Sequence, residues 1–207
     1  MLEEIIKQLM VKAPKIATAF LEPATAEEVQ LLSLNVVGEL PQPLIELYKS
    51  SKGQDPNKVA NFAYGVTWIT ISQTTDLVES YTEAGDGNEL RYADVGIDKS
   101  YTLGKKRVPI ADDFGTCLIC VDLGPSEEGD YGQVILVDQE NNVALKLASS
   151  VTELLSNFEK DLASNMYALS EDALEDGEHW LTPERAIDPV NWFNSPTWHY
   201  VVDKLSA

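Results

Sequence analysis

The sequence predicts an α+β protein built around a buried sheet. A continuous apolar run at residues 117–121 is bounded by turn signals, and a second apolar run follows at residues 134–137. Short apolar runs between turns are typical of strands that are buried on both faces. Capped helices are expected before and after these strands, because Thr25 with Glu28 has the spacing of a capping box, and so has Ser150 with Glu153.

The first elements along the chain are predicted to be helical. Apolar residues recur at helical spacing over residues 2–20, but Pro14 interrupts them. We therefore expect a helix that is broken or kinked near Ala13. The helix that Thr25 opens is predicted to end at Gly38. Its apolar face is predicted to be formed by Val29, Leu32 and Val36.

The next segments alternate between helix and strand signals. Pro41 or Pro43 can occupy the first turn of a short helix, where the missing N–H has no intrahelical partner. Residues 66–71 are β-branched and aromatic, which predicts a strand. Thr74 or Thr75 is then expected to cap the following helix.

The middle of the chain carries most of the strand signals. A turn is predicted at residues 139–142, and the alternating segment after it is expected to pair back as a hairpin. Ser150 then opens a helix that should extend through Leu162. The strands are predicted at residues 108–111, 116–123, 132–137 and 143–148.

Beyond residue 164 the composition shifts to an acidic run followed by aromatic residues. Three cap-then-proline pairs predict short helices, at Thr182-Pro183, Asp188-Pro189 and Ser195-Pro196. We expect their aromatic side chains to pack on the rest of the protein, and a partner-binding aromatic patch is the alternative. The predicted domain organisation is an N-terminal helical extension (1–24), an α+β domain (25–164) and a helical, Trp-rich C-terminal extension packed on that domain (165–207).

Composition restricts the classes of partner. The formal net charge is −19, which argues against nucleic acid and anionic membranes as partners, and 44% hydrophobic residues are enough for a real core. The charge favours a basic partner or simply serves solubility. Glu3 and Glu4 lie near the N-terminus and no long apolar run follows them, so a secretory signal is not expected there. No apolar stretch approaches the roughly 20 residues of a membrane helix. We therefore expect a cytoplasmic protein.

The residues that could support catalysis or metal binding are few. Cys117 and Cys120 form a CxxC, which could be a redox pair or half a zinc site. Residues three apart on a strand point to opposite faces, so two buried core cysteines are the expected interpretation. His179 and His199 are the only histidines, and no GxSxG motif accompanies them, so a nucleophilic triad is not expected. Neither a metal nor a cofactor is predicted.

The order of these segments resembles the SUKH superfamily, which contains the Smi/Knr-type cell-wall regulators of fungi and many bacterial immunity proteins. The resemblance covers about residues 25–164. Many members carry Asp or Asn where this chain has Thr116. The matching motifs are Thr25-Ala26-Glu27-Glu28, Leu40-Pro41 with Leu44, Tyr48 and Gly53, the run from Val108 to Gly115, Asp122, Gly132-Gln133-Val134, and Ser150 with Leu154, Leu155 and Phe158.

The resemblance implies a mixed, mostly antiparallel sheet with helices packed on one side. It also implies a non-enzymatic protein-binding module, of which an immunity protein that neutralises a toxin, often a nuclease, is the best hypothesis. Such a toxin presents a basic surface, which an acidic inhibitor can reach quickly through electrostatic steering. A Smi/Knr-like regulator or scaffold is the alternative, and a small-molecule-binding or metal-dependent enzyme is the third.

The partner is expected to bind where acidic residues concentrate. Residues 111–142 contain eight acidic residues and no Lys or Arg. A calcium site is not expected there, because the spacing is not that of an EF-hand loop. Exposed aromatic residues would supply the part of the affinity that does not depend on salt. The predicted partner-binding residues are Asp112, Asp113, Phe114, Asp122, Glu127, Glu128, Asp130 and Tyr131.

Overall fold

A six-stranded mixed sheet forms the centre of the computed structural model, which describes residues 1–85 and 87–206. Its strands are β1 (Thr67–Trp68), β2 (Tyr92–Ala93), β3 (Arg107–Asp112), β4 (Cys117–Asp122), β5 (Gln133–Asp138) and β6 (Val143–Ala148). The spatial order is β1-β3-β4-β5-β6-β2. Every neighbouring pair is antiparallel except β2 with β6, so the prediction of a mixed, mostly antiparallel sheet is confirmed.

Helices precede, interrupt and follow this sheet. A second, two-stranded antiparallel sheet pairs β7 (Tyr167–Leu169) with β8 (Leu181–Pro183). Single 3-10 turns lie at Ala63–Gly65 and Trp192–Asn194. The helices in the described ranges are α1 (Leu2–Lys12), α2 (Pro14–Ala17), α3 (Ala26–Asn35), α4 (Gln42–Ser50), α5 (Ile71–Glu83), α6 (Val151–Ala163), α7 (Glu171–Glu175) and α8 (His199–Leu205).

The two faces of the sheet are buried by different structures. On β4, Cys117, Ile119 and Val121 point into a large apolar core, which α1, α4 and α6 cover. We call this the helix-covered face. Leu118 and Cys120 point the other way, into a smaller core that is closed by the irregular chain around β2, through Leu90, Ile97 and Leu103, with Tyr81 of α5 at its side. We call this the loop-covered face. The alternation confirms that β4 is buried on both faces.

Local sequence signals explain where most helices begin. Thr25 accepts a hydrogen bond from the Glu28 N–H, and the Glu28 carboxylate accepts one from the Thr25 N–H, so the predicted capping box is confirmed. The predicted break near Ala13 is also confirmed, since α1 ends at Lys12 and Pro14 opens α2. Pro43 lies in the first turn of α4, as expected.

The start of α5 differs from the prediction. Thr70, not Thr74 or Thr75, caps this helix, because Thr70 and Gln73 form a complete capping box. Thr74 and Thr75 lie inside the helix and are buried. As a result, the strand predicted at residues 66–71 shortens to the two residues of β1. Helix α5 packs beside β3 and carries α3 on its other side.

The chain after α6 is not simply a series of short helices. Thr182-Pro183 lies in β8, so the prediction that it starts a helix is wrong; pairing with β7 decides its conformation. Asp188 does cap a turn, by accepting the Asn191 N–H. Trp192 is 1% exposed and donates its Nε1–H to Asp138 at 2.9 Å, which ties this segment to the end of β5. None of the helices in the described ranges has the length and apolar character needed to cross a bilayer.

Candidate functional site

The predicted partner-binding residues lie at both ends of β4. Asp112 ends β3, and Asp113 and Phe114 lie in the turn between β3 and β4. The remaining predicted residues lie at the end of β4 or in the loop after it. Six residues at about 3.3 Å each separate the two ends by roughly 20 Å. The structure therefore does not bring the eight residues together into one continuous surface.

In the β3–β4 turn, the carboxylates fix the backbone. Asp112 accepts the Phe114 N–H at 2.7 Å, and Asp113 accepts the N–H groups of Gly115 and Cys117 at 2.8 and 2.9 Å. Burial raises the pKa of Asp112, against the lowering effect of the Phe114 N–H. Phe114 has a positive φ of 56° and is 66% exposed, so this turn presents an aromatic side chain to solvent.

The prediction that Asp122 belongs to an exposed acidic surface is wrong. Its side chain is fully buried, with Oδ1 4.0 Å from Arg107 Nε. Gln133 donates to Oδ2 at 3.0 Å and the Gly124 N–H to Oδ1 at 3.1 Å. Burial raises the pKa of Asp122, and the Arg107 charge opposes that rise. A buried carboxylate needs such partners, so its role is internal.

Arg107 explains why an acid is placed there. Its guanidinium donates to the carbonyl groups of Tyr101 and Thr102 through Nη1 and to that of Asp98 through Nη2. It also lies over the Tyr101 ring, 4.3 Å from the centroid. Arg107 therefore holds the irregular chain of the loop-covered face onto the sheet. Nothing in the local sequence indicates that Arg107 is buried and not exposed.

The loop between β4 and β5 is exposed but well anchored. Glu127 and Glu128 face solvent, and Asp130 forms an ion pair with Lys146 at 2.9 Å. Tyr131 is 51% exposed and donates its hydroxyl to the carbonyl of Glu39 at 2.7 Å.

A close glycine contact adds a second anchor to this loop. Gly129 lies against Gly96, where an added Cβ would come within 2.0 Å of the Gly96 oxygen. The Ser126 N–H also donates to that oxygen, at 3.1 Å. The acidic loop is therefore exposed but held in place by contacts with three other segments, at Lys146, Glu39 and Gly96.

Sequence reasoning missed the surface around α3. Leu32 is fully buried, whereas Leu31 is 53% and Leu34 is 74% exposed. The available signal was that α3 has more apolar residues than one buried face requires. Beside it, α3 and α4 border an open groove of about 630 Å³, which is lined by Ala24, Thr25, Ala26, Val29, Gln30, Ser33, Glu39, Leu40, Gln42, Ile45 and Lys49.

A second, narrower groove lies on the other side of α3, towards α5. Its volume is about 230 Å³, and its lining residues are Glu28, Leu31, Ile71, Ser72, Thr75, Asp76 and Glu79. Neither α3 nor α5 contains a Lys or Arg. Glu28 lies 3.7 Å from Lys52, so its charge is partly balanced. Asp76 and Glu79 are exposed and form no ion pair within the described residues.

The two cysteines lie apart, as predicted. Cys117 points to the helix-covered face and Cys120 to the loop-covered face, and both are free and buried. Burial raises the pKa of the Cys117 thiol to about 12 and raises that of Cys120 as well. In the part of the chain that the structure describes, no group of His, Cys, Asp and Glu side chains has the arrangement of a metal site.

Comparison with known proteins places this architecture among described relatives. The family model for the SMI1 / KNR4 family (SUKH-1) matches residues 23–157, from just before α3 into α6. The "cell wall biosynthesis/cell cycle regulator smi1" of Schizosaccharomyces pombe (strain 972 / ATCC 24843) is 25% identical over 165 residues. The alignment covers 72% of this chain and 33% of the relative, so the chain spans about a third of that protein's length.

Proposed function

The chain belongs to the SMI1 / KNR4 family (SUKH-1), and from this premise we propose that it is a non-enzymatic protein-binding module. Its partner is a basic protein that it holds at an acidic surface. Its role is that of a cytoplasmic immunity-type protein that neutralises a toxin, one of the roles that occur in the superfamily.

The observation that carries this proposal is the placement of uncompensated acidic groups. Glu127 and Glu128 are exposed in a segment without Lys or Arg, and the α3–α5 pair adds further carboxylates without a base of its own. Exposed charges of one sign accelerate the encounter with an oppositely charged protein. A toxin that binds phosphates has such a basic surface, and covering that surface would block its activity.

The proposal is tested by capture from the native host with the tagged full chain, followed by identification of the bound protein. We expect a basic toxin whose activity disappears when the purified chain is added in equal amount. Raising the salt from about 0.1 M to about 1 M should slow association far more than dissociation, since the Debye length falls from about 10 to about 3 Å. A partner whose association rate ignores salt would contradict the acidic-surface mechanism.

A regulatory or scaffold role is the second candidate, because the curated relative is described as a regulator of cell wall biosynthesis and the cell cycle. In that case the captured protein keeps its own activity when the chain is bound. The same capture experiment therefore separates the two roles, through an activity measurement on the purified partner with and without the chain.

A further inference from the structure

We propose that α3 and the adjoining side of α5 form the docking surface for a basic, amphipathic helix of the partner protein. This inference rests on the proposed function, because it assumes that a basic protein binds the chain. We call the face formed by Glu27, Leu31, Leu34, Asp76 and Glu79 the α3 surface. Its residues differ from those of the β3–β4 turn and of the β4–β5 loop.

The apolar part of the α3 surface is a short ridge. Leu31 and Leu34 are three residues apart and so are neighbours on one side of the helix, and both are more than half exposed. Single exposed leucines are ordinary on proteins. Two on adjacent turns, beside a groove on each flank, offer a stripe that matches the apolar stripe of an amphipathic helix.

The charged part lies on the α5 side of the ridge. Glu28, Asp76 and Glu79 line the α3–α5 groove around Leu31. Glu27 is exposed on α3 itself, and no Lys or Arg occurs in either helix. The groove on the α4 side differs, because Lys49 is among its lining residues. The basic residues of the partner helix are therefore expected to lie along the α5 side.

Charge also selects this occupant over a second copy of the chain. Two copies related by a two-fold axis would bring the same acidic groups towards each other, and like charges across an interface disfavour association. A helix with Leu-type residues on one face and Lys or Arg at its flank would cover the ridge and pair with Asp76 and Glu79. Long basic side chains can cover apolar surface with their methylene groups while their charged ends reach the acids.

The test uses the full chain, labelled with ¹⁵N, and a synthetic amphipathic peptide of Leu and Lys of about 14 residues, which makes about four helical turns. The variant D76K/E79K removes the acids of the α3 surface. Its matched control is E175K/D176K, which changes the net charge equally but replaces an exposed Glu and an exposed Asp at the end of α7. For the apolar part, L31S/L34S is compared with V11S/V95S, since Val11 and Val95 are exposed elsewhere, by 85% and 75%.

We expect the peptide to shift amide resonances of α3 and α5, and D76K/E79K and L31S/L34S each to weaken binding by about tenfold, which corresponds to about 1.4 kcal/mol. Both control variants should change the affinity by less than about twofold. Unchanged melting temperatures of all four variants would show that folding is not the cause, as expected for exposed positions.

Three results would overturn the inference. Equal weakening by both charge reversals would mean that only the overall charge attracts the peptide, and resonance shifts confined to the β4–β5 loop would place the binding there. In either case the proposed function stands and the docking surface does not. Sedimentation that shows a dimer of the wild-type chain and a monomer of L31S/L34S would assign the ridge to a second copy. Failure of the proposed function appears separately, as a captured partner that is not basic.

Discussion

The two faces of the central sheet are stabilised in different ways. On the helix-covered face, the side chains of α1, α4 and α6 fill the core, and their backbone groups are already bonded within each helix. The loop-covered face is closed mainly by irregular chain, with Tyr81 of α5 at its side, and the carbonyl groups of that chain need donors from elsewhere. Arg107 supplies hydrogen bonds to three of them, and Asp122 balances its charge. An irregular cover can therefore seal a sheet where a buried, charge-balanced arginine supplies hydrogen bonds to its carbonyl groups.

The largest expected effect comes from breaking that ion pair. Asp122→Ala leaves the buried Arg107 charge without a counter-ion, which typically lowers the free energy of unfolding by about 3–5 kcal/mol. Urea denaturation followed by circular dichroism measures the loss. Asp130→Ala is the control, since it removes an exposed partner of Lys146 and should cost about 0–1 kcal/mol. Equal losses in the two variants would show that the loop-covered face does not depend on the pair.

The two thiols can report on each face separately. In the wild-type protein both cysteines should react slowly with a thiol reagent, because both are buried and their raised pKa values leave little thiolate near pH 8. In Asp122→Ala, we expect labelling of Cys120 to accelerate by about tenfold or more through local opening, while Cys117 changes little. Cys117→Ala and Cys120→Ala backgrounds separate the two rates. Faster labelling of Cys117 alone would mean that the loss of Asp122 opens the helix-covered face and not the loop-covered face.

A smaller effect is expected where the C-terminal segment closes the helix-covered face. Trp192→Phe keeps an aromatic ring but removes the Nε1–H that donates to Asp138. Loss of a hydrogen bond to a charged group costs about 1.5–3 kcal/mol. The measurement is the shift of the urea midpoint at constant m-value. An unchanged midpoint would mean that the segment after α6 contributes little to this face.

The smallest effect on stability is expected in the β4–β5 loop. Glu127→Lys with Glu128→Lys should change the free energy of unfolding by less than about 0.5 kcal/mol, because exposed charges seldom carry stability. Thermal melting of the variant beside the wild type provides the measurement. A loss comparable to that of Asp122→Ala would show that this loop takes part in the core.

The sequence was sufficient for features that depend on local or periodic signals. The strand burial around β4, the break at Pro14 and the Thr25 cap all follow from spacing within a few residues. The sequence did not distinguish the buried Asp122 from the exposed Glu127 in this way, since the burial of Asp122 depends on Arg107, its partner on the adjacent strand β3.

Competition between nearby signals explains the misplaced start of α5. Thr70, Thr74 and Thr75 are all suitable N-cap residues by type. Only Thr70 has Gln73 three positions later with the partner geometry of a capping box, and tertiary packing buries the other two threonines. The exposure of the two leucines of α3 could not be predicted either, because an apolar helix residue is assigned to the core unless its neighbours in space are known.

The anchoring of the β4–β5 loop has a consequence for any partner that binds it. Tyr131 bonds the carbonyl of Glu39, and Gly129 lies against Gly96, so the loop has few alternative conformations to lose. Ordering a mobile loop costs conformational entropy that must come out of the binding free energy, whereas a pre-organised loop avoids most of that cost. Its tight glycine contact would also make this loop a poor place for an inserted tag or linker, despite its exposure to solvent.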